Sequence, residues 1–503
     1  MPASQGRVGY ALLGIAVLLG LGTQLASTRR GVGLVSDSAT YIEGGRTLTH
    51  HPTAVFSLGT YGSVGHYANW PPLYSAALAL PGLAGADVLT GARWVNAVCL
   101  VGLLLAFFTL LARRTSDVVA GLACLALVAL GEFVQRDFAW ALSEPLFLPL
   151  FTIALLLLDR SWDAIGWTRA CQLVGCGVAL GLASLTRFMG MGVVAAVVLV
   201  LLLQSEPGRR MRSATLVGTL GLLPVVVWKV TGGSSGTSAW RMSFYRVPWS
   251  DVTRTGESVG GWFLPERLAD PLKVVTLLVT VGLLIGATWC GVGAARRSVV
   301  DPDVRLAGSL ALAGVGASLM VVVGRLFLDA HVQFERRQLA PFAIALIGVA
   351  AILLARGWTN GRRLARPAAA LIAAAIVLGS IPRTIQTTHI AMTEGLGYQT
   401  PAWQASPTLA YVGRLDRSRI VYTNVASVVY LQFGWAVKSI PSAEDGSYPS
   451  RLRAMRADIA THGGLVVQFD SVQHAGTPTA EAALPSGVVV ERFADGVVVG
   501  PGG

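Results

Sequence analysis

The chain is a succession of apolar runs near the length that crosses a hydrocarbon layer, about 20 helical residues, several of them shorter. They fall at 8–27, 91–112, 117–131, 144–158, 170–186, 189–204, 214–231, 272–293, 305–324, 339–356 and 367–382. In lipid every backbone N–H and C=O must find a partner within the protein, so runs of this kind fold as helices. The expected fold is a membrane all-α protein of about eleven spans by that length criterion. Only 13% of the residues are charged, against roughly 25% in soluble domains. The mean hydropathy of +0.60 agrees that lipid is the main solvent. The run from Val8 to Ala26 follows Arg7 and exceeds the 7–15-residue core of a signal peptide, so it reads as a retained first span.

The formal net charge of +12 would suggest a nucleic-acid partner in a soluble protein. Here the placement of the charge matters more, and no nucleic acid is expected. With the N-terminus inside, the short inner loops hold Arg113/Arg114, Arg160/Arg169, Arg209/Arg210/Arg212, Arg296/Arg297/Arg305 and Arg356/Arg362/Arg363/Arg366. Each carries at least two arginines, as the positive-inside rule requires of cytoplasmic loops. The C-terminus then lies outside. The longer polar segments, 28–90, 132–143, 232–271, 325–338 and the tail from about 383, lie outside too. The expected localisation is the bacterial inner membrane, multi-pass, with the working surface extracytoplasmic. The five cysteines all sit in apolar runs, which argues for buried inert thiols and against a disulfide framework or a thiolate metal site.

Two units are expected: a membrane domain over 1–382 and a small extracytoplasmic α/β domain over 383–503. In the first outer loop, 28–90, Ser36 to Leu48 reads as a short helix with Ser36 as its N-cap. Pro71-Pro72 opens a second helix, and Leu73 to Leu80 is too short to span. In the tail, Arg419–Tyr422, Lys438–Ile440, Gly464–Phe469, Val488–Phe493 and Val497–Val499 are β-branched runs. Ala426–Phe433 and Pro449–His462 have helical spacing.

Asp37 is the first chemical candidate. A partly desolvated carboxylate at the bilayer edge suits a base or a metal ligand; equally, it is an acid in a first helical turn that stabilises the dipole. Glu144 sits at the outer mouth of a span, where a carboxylate is costly unless it serves a site or a cavity, or it caps the helix there. Arg187, Arg325, Arg336 and Arg337, with Lys273, run against the positive-inside trend. Guanidinium groups match phosphate geometry, and snorkelling to headgroups is the other reading. Trp70-Pro71-Pro72-Leu73-Tyr74 is a turn with interfacial aromatics. Asp301-Pro302-Asp303 reads as a helix start. No P-loop and no strand-linked Gly-x-Gly-x-x-Gly occurs.

In order and topology these residues resemble the GT-C superfamily of lipid-linked glycosyltransferases, in particular the bacterial protein mannosyltransferase and aminoarabinose transferase group. The resemblance rests on the acid after the first span, Pro71-Pro72-Leu73-Tyr74, and Ala92-Arg93-Trp94-Val95-Asn96-Ala97. Ser143-Glu144-Pro145-Leu146-Phe147, Leu185-Thr186-Arg187-Phe188, Arg337-Gln338-Leu339-Ala340-Pro341 and Val421-Tyr422-Thr423-Asn424 extend it. It covers roughly residues 8–440, and its specificity lies in the series, since no single motif suffices. Asp37 is followed by Ser38 where the family often has a second acid, and the second-motif acid is Glu.

The resemblance implies an inverting enzyme that moves a hexose or pentose, mannose or arabinose being examples, from a polyprenyl phosphate to a hydroxyl of a glycan, lipid or protein. Asp37 would be the catalytic base. Arg187, Arg336 and Arg337 would receive the phosphate charge, Glu144 would position substrate or metal, and Trp70, Tyr74, Tyr41 and His66 would line the site. A divalent cation, Mg or Mn, on Asp37 and Glu144 is the cofactor it admits. Two other classes compete. A transporter or lipid flippase predicts inverted repeats and mid-span acids, and neither is present in the sequence. A non-catalytic envelope assembly protein predicts an Asp37 that can be replaced without consequence.

Overall fold

The structure is a computed structural model that describes residues 3–52, 70–129, 137–206, 208–231, 244, 253, 255–256, 259, 270–296, 301–328, 337–359, 381–442, 448–472 and 477–501. Among these, eight helices are long and apolar enough to cross a membrane, and the chain is a multi-pass membrane protein. The helices are α1 (Ala3–Ser27), α2 (Ser36–His50), α3 (Leu73–Leu83), α4 (Val88–Ala112), α5 (Asp117–Ala129), α6 (Glu144–Asp163), α7 (Gly166–Thr186) and α8 (Met189–Gln204). They continue with α9 (Arg210–Thr231), α10 (Asp270–Arg296), α11 (Pro302–Val323) and α12 (Ala340–Thr359). A π-helical turn, Gly324–Leu328, extends α11. Helices α5 and α8 fall on expected spans but are shorter than the eight. The expected span at 367–382 lies outside the described residues except for its last two.

The ends of these helices follow local chemistry. Helix α4 starts at Val88, three residues before the apolar run, because the Asp87 side chain accepts a hydrogen bond from the Thr90 amide. Helix α2 does begin at Ser36, but Ser36 is its first helical residue and Val35 stands at the cap. Ser38 supplies the hydroxyl, accepting from the Val35 amide at 3.1 Å. Pro72 likewise precedes α3 as its cap.

Small residues let helices approach: a Cβ on Gly192 of α8 would come within 2.1 Å of the Gly316 carbonyl oxygen of α11. The membrane core is a continuous cluster of Leu, Phe, Ala and Val that includes Leu103, Phe107, Phe147, Leu180 and Leu310. All five cysteines are free. Cys99, Cys124 and Cys176 are buried as expected, whereas Cys171 and Cys290 lie on exposed faces of α7 and α10. An apolar run surrounds them in sequence, but a span facing lipid buries only one side against protein.

After a helix over 381–394 the chain forms a five-stranded sheet: β1 (Val421–Thr423), β2 (Lys438–Ser439), β3 (Leu465–Phe469), β4 (Gly487–Phe493) and β5 (Gly496–Pro501). The strand order is β2-β1-β3-β5-β4. Strands β2, β1 and β3 are parallel, and β5 runs antiparallel to both β3 and β4. Side chains alternate between faces. Val421, Val467, Phe469 and Val498 pack on one side with helices α13 (Pro407–Arg414) and α14 (Ala426–Phe433), while Tyr422, Val466, Val497 and Val499 pack on the other with α15 (Tyr448–His462).

Asp495, in the turn between β4 and β5, ties that hairpin to the start of α13. It accepts hydrogen bonds from the Ser406 hydroxyl, from Thr408 Oγ1 at 2.6 Å and from the Thr408 amide at 3.2 Å. Burial alone would push its carboxyl up, but the bonds from Ser406 and Thr408 outweigh it and hold the group below the usual carboxylate range. A depressed folded value means the stabilisation is full above the unfolded value of about 3.9 and is lost as pH falls through the lower folded value. Asp495→Ala is expected to cost about 2 kcal/mol at neutral pH and to flatten the acid limb of stability. Hydrogen exchange of the sheet amides against pH checks both.

Candidate active site

The site is built on a short backbone splice. Residues 32–34 run extended and buried after α1. The Gly33 amide donates to the Ala139 carbonyl at 2.8 Å, and the Ala141 amide donates to the Gly33 carbonyl at 2.9 Å. Gly33 thus bridges Trp140 in parallel, and Leu34 bridges Gly397 on its other side. Glycine is required at both outer positions. A Cβ at 33 would fall 2.5 Å from the Trp140 ring, and one at 397, where φ is +57°, would fall 2.1 Å from the Leu34 carbonyl oxygen. Asp37 follows Leu34 by three residues and Glu144 follows Trp140 by four. The splice therefore sets the two acids at one level, at the starts of α2 and α6.

Asp37 is half-buried and Glu144 is buried, their side chains 28% and 2% exposed. Arg337, just before α12, lies between them: its Nη1 is 3.6 Å from Asp37 Oδ2 and 3.9 Å from Glu144 Oε1. Arg187 breaks the chain between α7 and α8 in an extended conformation. Its Nη1 pairs with Glu144 Oε1 at 2.6 Å and donates to Ser143 Oγ at 3.3 Å. Tyr41, one turn beyond Asp37, donates to the same Ser143 Oγ at 3.0 Å. Burial raises the Tyr41 phenol above its ordinary value, with Arg187 opposing. Tyr41 therefore remains a proton-bearing donor. Glu144 Oε2 is buried with no hydrogen-bond partner among the described residues.

An aromatic wall backs the acids. Tyr41 packs edge-on against Trp70 and Tyr74, with ring centroids 5.9 and 5.3 Å apart. Tyr74 donates to Asn96 Oδ1 at 2.9 Å, and the Asn96 amide donates to the Phe138 and Trp140 carbonyls. Tyr398, beside the Gly397 bridge, shares a hydrogen bond with Ser427 at 3.0 Å. This joins the splice to helix α14 of the sheet domain.

The structure brings Asp37, Glu144, Arg187, Arg337, Tyr41, Trp70 and Tyr74 together. His66 and Arg336 lie outside the described residues. Arg325 is buried in the π-turn, and Lys273 starts α10. Ser143, Asn96, Trp140 and Tyr398 were not anticipated. Asn96 carried a signal, since an amide inside an apolar helix is costly unless paired.

Both carboxylates face guanidinium groups, and among the described residues no group of three or more His, Cys, Asp or Glu gathers anywhere. Charge compensation here comes from the arginines.

No protein-family model and no curated protein matches the chain. Solved structures do. ArnT from Cupriavidus metallidurans bound to undecaprenyl phosphate matches at 16% identity and TM-score 0.56, with 97% of each chain covered. The oligosaccharyltransferase AglB from Archaeoglobus fulgidus, in complex with an inhibitory peptide and a dolichol-phosphate, matches at 13% identity and TM-score 0.52, over 92% of this chain and 69% of that one. The arabinofuranosyltransferase AftD from Mycobacteria matches at 14% identity and TM-score 0.51, over 98% of this chain and 41% of that one. At these identities what the chain shares with the three proteins is the fold. The chain therefore has a GT-C-like fold, matched over 92–98% of its length, with a five-stranded sheet domain toward its C-terminus.

Proposed function

We propose that the protein is a glycosyltransferase that takes a sugar from a polyprenyl-phosphate donor and places it on an acceptor hydroxyl at the extracytoplasmic face of a bacterial inner membrane. The observation that carries this reading is the half-exposed Asp37 held beside Arg337 and the Glu144–Arg187 pair. Support comes from the common fold with ArnT bound to undecaprenyl phosphate and AglB bound to a dolichol-phosphate.

Asp37 accepts the proton of the acceptor hydroxyl as its oxygen attacks the anomeric carbon. The bond from that carbon to the phosphate oxygen breaks on the opposite face, and the phosphate leaves with the electron pair. Configuration inverts. The contacts decide between the arginines. Arg187 sits at charge-assisted hydrogen-bond distance from Glu144, whereas the Arg337 contacts are longer than such bonds. In this reading Arg337, whose pairs with Asp37 and Glu144 are the longer ones, receives the phosphate oxygen, and Arg187 holds Glu144 in place. Arg336 adds a second guanidinium in this reading, and His66, Trp70 and Tyr74 line the sugar side. The acceptor is a glycan, lipid or protein hydroxyl, and the sugar is a hexose or pentose.

A donor screen tests the reading. Purified protein is offered radiolabelled polyprenyl-phosphate sugars and, separately, nucleotide sugars, with envelope extract as acceptor. Transfer from the lipid-borne donors alone is expected. Transfer from nucleotide sugars, or from none, would sink it.

A further inference from the structure

At the other end of the bundle from Asp37 lies a second cluster that sugar transfer does not use. Asp159 and Asp163, on the last turn of α6, are committed to Arg113 and Arg114. Asp159 pairs with the two Nε atoms at 2.8 and 2.9 Å, and Asp163 Oδ2 with the two Nη2 atoms at 2.6 and 2.8 Å. Next to this network two further guanidinium groups lie over one indole. Arg305 Cζ is 4.9 Å and Arg169 Cζ is 5.9 Å from the Trp162 ring centre. Arg169 makes no ion pair among the described residues, and its Nη2 is buried without a hydrogen-bond partner. Arg305 lies within electrostatic reach of the Arg114 and Arg169 guanidinium groups and of the Asp163 and Asp159 carboxylates.

Other polar atoms at this level lack partners too. Gln172 Oε1, both amide atoms of Gln204 and Ser205 Oγ are buried with no hydrogen bond among the described residues. The helix geometry places Gln172, Gln204 and Arg305 at one level of the bundle. Gln172 and Gln204 lie nearly the same number of residues from the Arg187–Phe188 turn that joins α7 to α8. Along the antiparallel α8–α11 pair, Gln204 is twelve residues beyond Gly192 and Val304 twelve residues before Gly316. Each is about 18 Å from the Gly192–Gly316 contact. Gln204 is therefore level with Arg305. Buried donors and acceptors are ordinarily satisfied, and the Arg169 Nη2 beside Trp162 is a charged donor still lacking an acceptor among the described residues. Beside Arg169, Ile165 and Trp167 are 83% and 82% exposed. Such a pair of apolar side chains at a helix end belongs in the interfacial layer of a bilayer.

We propose that this end of the bundle binds the phosphate of an anionic phospholipid headgroup, held by Arg169 and Arg305 against Trp162. Gln204 and Ser205 supply the neutral hydrogen bonds, and Ile165 and Trp167 rest among the acyl chains. The lipid source is favoured over free phosphate because the exposed apolar pair adjoins the arginines. The site acts whether or not the opposite face transfers sugar.

The test uses the full-length protein purified in a neutral detergent. Its thermal unfolding is followed while phosphatidylglycerol, phosphatidylcholine or inorganic phosphate is titrated in, and lipid adducts are counted by native mass spectrometry. Phosphatidylglycerol is expected to raise the unfolding temperature in a saturable way and to persist as a single adduct, while the other two do neither. Arg169→Gln is expected to weaken phosphatidylglycerol binding about tenfold, the size of one charge-assisted hydrogen bond. Arg169→Lys, which keeps the charge but loses the planar stack, should fall between. An equal response to phosphatidylcholine, or to inorganic phosphate alone, would overturn the assignment. So would undiminished phosphatidylglycerol binding in Arg169→Gln.

Discussion

Asp37→Asn is expected to lower the turnover of sugar transfer by about 10²–10⁴-fold, the usual contribution of a positioned general base, while leaving donor binding almost unchanged. The substitution keeps the shape of the side chain and one acceptor oxygen. It removes the negative charge and with it the ability to take a proton from the acceptor. The ion pair with Arg337 that it weakens is a loose 3.6 Å contact on a half-exposed side chain, and such pairs contribute about 1 kcal/mol or less. Single-turnover kinetics with saturating donor, set beside a thermal unfolding curve, separate the two effects. Equal turnover by the native protein and Asp37→Asn would remove Asp37 from the base role.

Glu144→Ala is expected to act mainly on the fold. Glu144 is buried against Arg187 at 2.6 Å, and the Arg187 side chain is 18% exposed. Without the carboxylate the guanidinium keeps, among the described residues of the site, the 3.3 Å contact to Ser143 Oγ. Leaving a buried charge uncompensated costs about 3–5 kcal/mol. The thermal midpoint in detergent should therefore fall well below that of Glu144→Gln, which retains an acceptor oxygen toward Arg187. Matching midpoints for Glu144→Ala and the native protein would mean that the pair contributes nothing. The loss also loosens Ser143, which accepts from Tyr41, so residual transfer should drop in both variants.

The membrane part of the fold was legible because hydropathy and the sorting of arginines report on lipid directly. Glu144 opens α6 as its run implied, and the arginines of the short loops gather at the far end, as in the Arg113–Asp159 network. The sheet strands were legible from their β-branched runs to within one or two residues. In the site, Asp37 and Arg337 could be named because each is a charge at the edge of an apolar segment, Arg337 closing the run Glu335-Arg336-Arg337. What brings them together was not legible. The contacts of Gly33 with Ala139 and Ala141, and of Leu34 with Tyr398, are backbone hydrogen bonds between segments far apart in sequence. They leave no mark on side-chain identity except two glycines. The two roles of Ser143, toward Tyr41 and Arg187, depend on the same long-range pairing.

The Leu34–Gly397 bridge also constrains how the chain can be cut and rejoined. Residues 396–398 belong, by hydrogen bonding, to the wall that holds Asp37, although they immediately precede the segment leading to the sheet. A hybrid that swaps the C-terminal domain for another must keep this tripeptide with the membrane half and place its seam beyond Thr400. A seam before Gly395 would carry away one edge of the ledge that positions Asp37 along with the domain.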